Sequence, residues 1–328
     1  MRTSHVPWPT LAPVLALAVA GACGSQPSAP AGVADDASTP TAPGSPADGA
    51  PDADASPADA GRDVDLAETG NDGGHPPPVI FSVMADIPYT RAEDAILSAQ
   101  IVTHNALSPS KFMVHLGDIK TGSDPCVEPV YANVANLLHA LTVPTFIIPG
   151  DNEWNDCTDP TEAWGFWVAH FGRFEKYWAK APVVSRQAVR DENFAWVDAG
   201  VIFIGINLPG GALHDATEWA TRLPENAQWV SDQIALHGAS AYAMVLFAHA
   251  EPLARHDAFM IPYRAAVGAW GKPVLHLMGD HHQWKMDRPW PETNILRVEL
   301  EEGAVEQPIQ VTVSPTDPDT FAILRNPL

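Results

Sequence analysis

Large apolar residues are almost absent between residues 24 and 77, then return in short, regularly spaced runs. The runs at 79–85, 111–116 and 145–148 are apolar and bounded by turn residues, which predicts strands. Between them, 91–105 and 128–141 repeat apolar positions at helical spacing, the second through Val130, Val134, Leu137, Leu138 and Leu141. The Trp-rich stretch 163–178 predicts a further helix. Runs at 194–197 and 201–206 flank Asp198-Ala199-Gly200 and predict a hairpin. A helix over 225–237, stopped by Gly238, leads to strands at 242–247 and 274–278 with another helix between them. Strands at 295–300 and 310–313 close the chain. Alternating strands and helices, followed by strand-rich pieces, predict an α/β sandwich. No internal repeat or boundary is visible within 78–328, which reads as one domain.

The first 77 residues read differently. Arg2 and His5 precede an apolar stretch, 11–22, that is too short to span a bilayer and suits the apolar core of a secretory signal. It ends in Ala20-Gly21-Ala22-Cys23, which resembles a bacterial lipobox with Ala20 in the usual Leu position. The expectation is a signal peptide over 1–22, cleavage before Cys23 and a lipid on its sulfur. An ordinary signal peptide cut nearby would leave Cys23 incidental. Either reading exports the chain, and the first anchors it to the cell envelope through lipid alone. Residues 23–77 are rich in Ala, Pro, Gly, Ser, Thr and Asp and cannot bury enough surface to offset ordering entropy, so a disordered tether is expected.

Charge and cysteine content narrow the picture. The net charge of −22 argues against non-specific binding to nucleic acid or anionic lipid. Ten acids and Arg62 lie in 24–77, leaving 30 of the 40 acids and 16 of the 18 bases for 78–328. No P-loop and no G-x-S-x-G elbow is present, which removes two common hydrolase classes. With Cys23 assigned to lipid, Cys126 and Cys157 form an even pair in an oxidising compartment and are a disulfide candidate. Two unpaired buried thiols are the alternative.

Five predicted strands end alike, in an apolar run, a small residue and a group able to bind metal. They are Met84-Ala85-Asp86, Leu116-Gly117-Asp118, Pro149-Gly150-Asp151, Phe247-Ala248-His249 and Met278-Gly279-Asp280, the last running on into His281-His282. One Gly-Asp after a strand is ordinary turn chemistry. Five in one domain place four carboxylates and two imidazoles along one edge if the strands share a sheet, and such a cluster requires cations.

The order Asp, Gly-Asp, Gly-Asp-Asn-Glu, His, Gly-Asp-His-His resembles the signature of the calcineurin-like metallophosphoesterases over roughly 79–285. The resemblance implies a four-layer α/β/β/α sandwich with two metal ions at the strand ends. It implies Asp86, Asp118 and His282 on one ion, and Asp118, Asp151, His249 and Asp280 on the other. Asp118 would bridge them, and a bridging water or hydroxide would attack phosphorus. Two ions so placed lower the pKa of the water and neutralise phosphoryl oxygens.

The departures from that signature carry information. The imidazole of the opening Asp-x-His is replaced by Pro88; Tyr89 either substitutes for it or is a packing residue. Thr121 ends the second motif. Asp151 stands where the family has a metal-binding Asn, and Asn152 stands where it has a proton-donating His; an amide cannot shuttle protons near neutral pH. Asp280 replaces the first His of the last motif. More carboxylate and less imidazole favours Mn²⁺, Fe or Mg²⁺ over Zn²⁺. His281 is the nearest replacement proton donor, or else a support for its neighbours. Asn152 is a candidate phosphate contact, as is Lys120, which is otherwise a solvated surface Lys. A Cys126–Cys157 bond would tie the loop after Asp118 to the Asp151-Asn152-Glu153 turn. Trp154, Trp284 and Trp290 lie near the motifs and are assigned no role.

The leading expectation is therefore hydrolysis of a small phosphomonoester or phosphodiester. A metal-stabilised binding module that has lost turnover is the alternative, motivated by Pro88 and Asn152. Dinuclear sites also cleave other esters and amides.

Overall fold

Alternation along the strands sorts the buried apolar side chains into three layers. The computed structural model describes residues 74–328, which lie within one compact unit. The signal segment, Cys23 and the tether up to residue 73 lie outside the described residues. In chain order the elements are β1 (Val79–Met84), α1 (Arg91–Leu107), β2 (Met113–His115), α2 (Glu128–Leu138), β3 (Thr145–Ile147) and α3 (Pro160–Phe171). Then come β4 (Ser185–Gln187), β5 (Arg190–Asp198), β6 (Val201–Gly205), α4 (Ala216–His237), β7 (Ala243–Phe247), α5 (Asp257–Trp270) and β8 (Val274–Met278). Strands β9 (Lys285–Asp287), β10 (Ile295–Glu299), β11 (Ile309–Val313) and β12 (Phe321–Leu324) complete it.

Two sheets form, ordered β12-β11-β1-β2-β3 and β4-β5-β6-β7-β8-β10-β9. Their centres are parallel: β1, β2 and β3 in the first, and β6, β7, β8 and β10 in the second. Phe81, Val114, Phe146, Phe203, Val245, Leu277 and Val311 point between the sheets and form the central layer. The neighbouring residues point outward. Met84, Met113 and Ile147 meet Leu97, Tyr131 and Trp167 of α1, α2 and α3, while Ile204 and Leu246 meet Leu223, Val230 and Phe259 of α4 and α5. The result is a four-layer α/β/β/α sandwich, as expected from the strand and helix pattern and the motif resemblance.

The parallel strands stop in register. Met84 pairs with His115 and His115 with Ile147, while Gly205 pairs with Phe247, Phe247 with Leu277, and Met278 with Glu299. The seven strands β1, β2, β3, β6, β7, β8 and β10 therefore end in register within their own sheets. Backbone bonds continue past the strands, from the amide of Asp86 to the carbonyl of Gly117 (3.0 Å) and from that of Gly279 to His249 (3.1 Å).

Two predicted helices differ from those observed. The 163–178 stretch divides at Gly172: α3 starts earlier, capped by the Asp159 carboxylate on the amides of Thr161 and Glu162, and a short 3₁₀ turn follows over Phe174–Tyr177. Helix α4 begins nine residues before the expected start, capped by Asp215, because Pro224 sits within it rather than marking its first turn. The sequence pattern also passed over β4, β9 and β12, which are short strands near or at the sheet edges and carry little alternation.

Phe81 tests the central layer. It is fully buried and meets Phe112 (5.0 Å, stacked), Phe203 (5.6 Å, edge-on) and Phe247 (5.8 Å, edge-on). Phe81→Ala should cost about 3–5 kcal/mol in chemical denaturation; a loss under about 1 kcal/mol would mean that the layer is loosely packed there.

Candidate metal centre

Three of the four motif aspartates leave their strands through backbone that side chains rarely adopt. Asp86 (φ 57°), Asp118 (57°), Asp280 (82°) and His282 (58°) are four of the eight non-glycine residues with positive φ among the described residues. Strain concentrated in this way is characteristic of functional positions. The glycines before Asp118, Asp151 and Asp280 have a steric reason. A Cβ on Gly117 would lie 2.2 Å from the Gly150 nitrogen, one on Gly150 2.1 Å from Asp118 Oδ1, and one on Gly279 2.6 Å from Asp86 Oδ2.

These turns bring the side chains together across both sheets. Ligand atoms of Asp86, Asp118 and His249 lie within 4.8 Å of one another, as do those of Asp151, His249 and Asp280. His249 belongs to both groups, a place the motif pattern gave to Asp118. Its Nδ1 donates to the Leu116 carbonyl (2.8 Å), which turns Nε2 toward Asp151 (2.9 Å) and Asp118 (3.3 Å). The Asp280 amide meets Asp86 Oδ1 at 3.3 Å, and the Glu251 amide meets Asp280 Oδ2 at 3.2 Å. Among the described residues no Lys or Arg pairs with these four carboxylates, and the buried Asp86 Oδ2 has no partner. An oxygen-rich, buried and uncompensated donor set of this kind fits divalent cations.

Without a cation, protons provide the compensation. Burial pushes the Asp118 carboxyl well above its usual range, assisted by Asp151. Burial alone would depress the His249 imidazole, but Asp118 and Asp151 carry it well above its usual value. Burial also acts upward on Asp151, yet its bond to His249 leaves it below the ordinary aspartate value. The triad thus holds protons where a metal would hold positive charge.

The remaining predicted residues occupy varied positions. His282 flanks the first group, with Nε2 3.6 Å from Asp86 Oδ1 and 2.9 Å from the Tyr89 hydroxyl. Tyr89 also lies 3.3 Å from both Asp86 Oδ1 and Asp118 Oδ2, so its hydroxyl stands among the ligands rather than in plain packing. Asn152 grips Asp118 through its backbone N–H (3.0 Å) and side-chain Nδ2 (2.5 Å), which makes it a clamp on the carboxylate rather than a free phosphate contact or proton donor. Lys120 is not a solvated surface residue: it is buried, and its ammonium donates to the carbonyls of Thr121 (2.7 Å) and Asn152 (2.6 Å) instead of meeting the centre. His281 turns to Glu251, with Nδ1 3.0 Å from Oε2. The Cys126–Cys157 disulfide is present, with Cα atoms 5.9 Å apart, and both sulfurs lie 3.6 Å from the Asn152 carbonyl oxygen.

Two features carried too little sequence signal to be assigned. Glu153, fully buried, accepts from the amides of Gly150 (2.6 Å), Asp118 and Ile119 (3.3 Å each) and so binds the second and third motif turns to each other. Gly210 and Gly211, in the loop after β6, pack against Asp151; a glycine pair after a strand was the available hint.

No protein-family model matches the sequence, and no curated protein matches it. Several solved structures align with about three quarters of this chain. GAP50, the anchor in the inner membrane complex of Plasmodium, aligns with a TM-score of 0.48 at 9% identity over 76% of this chain and 89% of its own. The NAD nucleotidase of Haemophilus influenzae gives 0.42 at 13% identity, over 76% of this chain and 50% of its own. Purple acid phosphatase PPD1 of yellow lupin seeds gives 0.42 at 8%, over 77% and 54%. This chain spans about half the length of the latter two. The chemistry of the site rests on the rim residues themselves.

The proton-holding triad makes metal binding pH-dependent. Asp118 and His249 have folded-state values above the 3.8 and 6.5 of the free groups, so they stabilise the cation-free fold at low pH and withdraw that support as pH rises past those values. A bound cation must displace these protons. The rise in melting temperature on replacing EDTA by Mn²⁺ should therefore grow from about pH 5 to about pH 8. A rise that shrinks over that interval would exclude the triad as the cation-binding group.

Proposed function

We propose that this protein is a metal-dependent phosphoesterase that hydrolyses small phosphomonoesters or phosphodiesters on the cell envelope. The observation that carries the reading is the pair of overlapping ligand groups, built from both sheets and sharing His249, with a buried Asp86 oxygen left without a partner. Divalent ions held there would supply Lewis acidity to phosphoryl oxygens and lower the pKa of a water molecule. The donor set of Asp86, Asp118, Asp151 and Asp280 with His249, and His282 at its edge, suits two ions of the Mn²⁺, Fe or Mg²⁺ kind better than Zn²⁺.

The chain's own groups divide the remaining work. The Leu116 carbonyl keeps His249 in the tautomer whose Nε2 faces the centre. Asn152 and Glu153 hold Asp118 and its turn in place. The absence of a titrating group at 152, where an amide is bonded to Asp118, supports substrates whose leaving groups need no proton, such as aryl phosphates. The same absence supports the second reading, a metal-stabilised binding module without turnover. The signal segment and Cys23 support export and a lipid anchor, and the net charge of −22 supports a small-molecule substrate over nucleic acid.

Asp118→Asn decides between the readings. In the purified protein with Mn²⁺, the wild type should hydrolyse an aryl phosphate and carry metal by elemental analysis. The variant should lose bound metal and at least about 100-fold in kcat/KM. Metal retained by the wild type with no turnover on mono- or diesters would favour the binding module; full activity in Asp118→Asn would remove Asp118 from the mechanism.

A further inference from the structure

The loops framing the Asp151 half of the centre carry one cation with no carboxylate partner among the described residues. The β6–α4 loop crosses this half at close range. A Cβ on Gly210 would lie 3.1 Å from Asp151 Oδ1 and 3.3 Å from Asp280 Oδ2, and one on Gly211 would lie 2.4 Å from Asp151 Oδ2. The β7–α5 loop fastens this crossing from the other side. Buried His256 bonds the Pro209 carbonyl through Nε2 (2.9 Å), and Arg255 Nη1 donates to the Gly211 carbonyl (2.6 Å). The Arg255 guanidinium also lies 5.6 Å from the centre of the Trp219 ring, a second contact that restrains it.

Other cations around the rim are already committed. Lys285 meets Glu251 and Glu299, Arg297 meets Glu251 and Asp287, and Lys120 is bonded to two carbonyls. Arg255 is exposed, and its one bond goes to a neutral oxygen. Among the described residues that leaves its charge uncompensated and, of the five N–H donors of a guanidinium, four without a partner. It stands one carbonyl away from the backbone that touches Asp151.

We propose that Arg255 is a substrate-binding residue that takes the charged non-bridging oxygens of the phosphoryl group, favouring dianionic monoesters over monoanionic diesters. This assignment rests on the phosphoesterase reading above. The planar fork matches two phosphate oxygens at once, and a monoester offers it one more negative charge than a diester. In a strongly acidic domain, a restrained cation beside the ligands also lowers the local cost of bringing an anion to the rim.

The test compares Arg255→Gln, Arg255→Lys and Arg288→Gln in the full, Mn²⁺-loaded protein. Arg288 is exposed and bonded to the Thr293 carbonyl (3.0 Å), so its variant removes the same charge from another loop. Arg255→Gln should lower kcat/KM for an aryl monoester by about 10- to 100-fold and for an aryl diester by a smaller factor. It should also weaken binding of inorganic phosphate, measured by calorimetry, to a similar extent. Arg255→Lys should fall between, and Arg288→Gln should match wild type. Equal losses in Arg255→Gln and Arg288→Gln would assign the effect to the general field and overturn the proposal. So would an Arg255→Gln variant within about twofold of an active wild type on both esters. A wild type that neither hydrolyses esters nor binds phosphate would remove the phosphoesterase reading and this assignment with it.

Discussion

Four carboxylates crowded at a dry rim repel one another, and the rest of the site is arranged around that repulsion. Asp118 is 2% exposed, Asp86 is fully buried, and the adjacent Lys120 points its charge at carbonyls. Burial and charge favour protons on Asp118 and His249, which relieve the repulsion only by giving up the deprotonated forms that a metal ligand needs. The structural elements nearby supply geometry rather than countercharge: Glu153 collects three amides, Asn152 grips Asp118 twice, and the disulfide closes on the Asn152 carbonyl. A centre held by hydrogen bonds and a covalent tie keeps its shape while leaving its charge for a cation.

That geometry depends on two sheets ending together. Asp86, Asp118 and Asp151 come from the first sheet, and His249 and Asp280 from the second, so neither sheet alone contains a complete group. The central layer, where Phe81 meets Phe203 and Phe247 across the gap, sets the spacing of the two rims. Packing in the core and ligand spacing at the edge are thus one constraint, because aromatic contacts of this kind tolerate little displacement. The glycines at 117, 150 and 279 act at the same scale: each removes a Cβ that would lie within 2.6 Å of an aspartate or its neighbour.

Much of this was legible in the sequence, and what was not has definite physical causes. Strand ends with a small residue and an acid repeated five times, and repetition carried information that one Gly-Asp lacks. Apolar runs such as that of β7 were readable because burial on both faces leaves no polar interruption. Edge strands β9 and β12 were not, since a partner on one side and solvent on the other erase the pattern. Orientation was the other blind spot. His281 and Lys120 sit beside ligands in sequence, yet a left-handed turn at Asp280 and a buried path along Ile119 aim them elsewhere. Tyr89 shows the reverse, three residues from Asp86 and indistinguishable in sequence from a packing Tyr, but folded back onto the ligands.

The changes at Asp280 and Asn152 are best understood together. Replacing imidazole by carboxylate at 280 adds negative charge and hardness to the donor set, which favours ions that hold oxygen ligands. Replacing imidazole by amide at 152 removes a titrating group, and the amide then finds its use as a donor to Asp118, at 2.5 Å from Nδ2. A charged imidazole in that place would itself offset part of the carboxylate repulsion and so compete with the metal for the same negative charge. A neutral amide orients Asp118 without that competition. In the phosphoesterase reading, the exchange trades assistance to the leaving group for a stronger demand for metal. Arg255 on the opposite loop then offers charge to the substrate, where it does not compete with the cations the aspartates require.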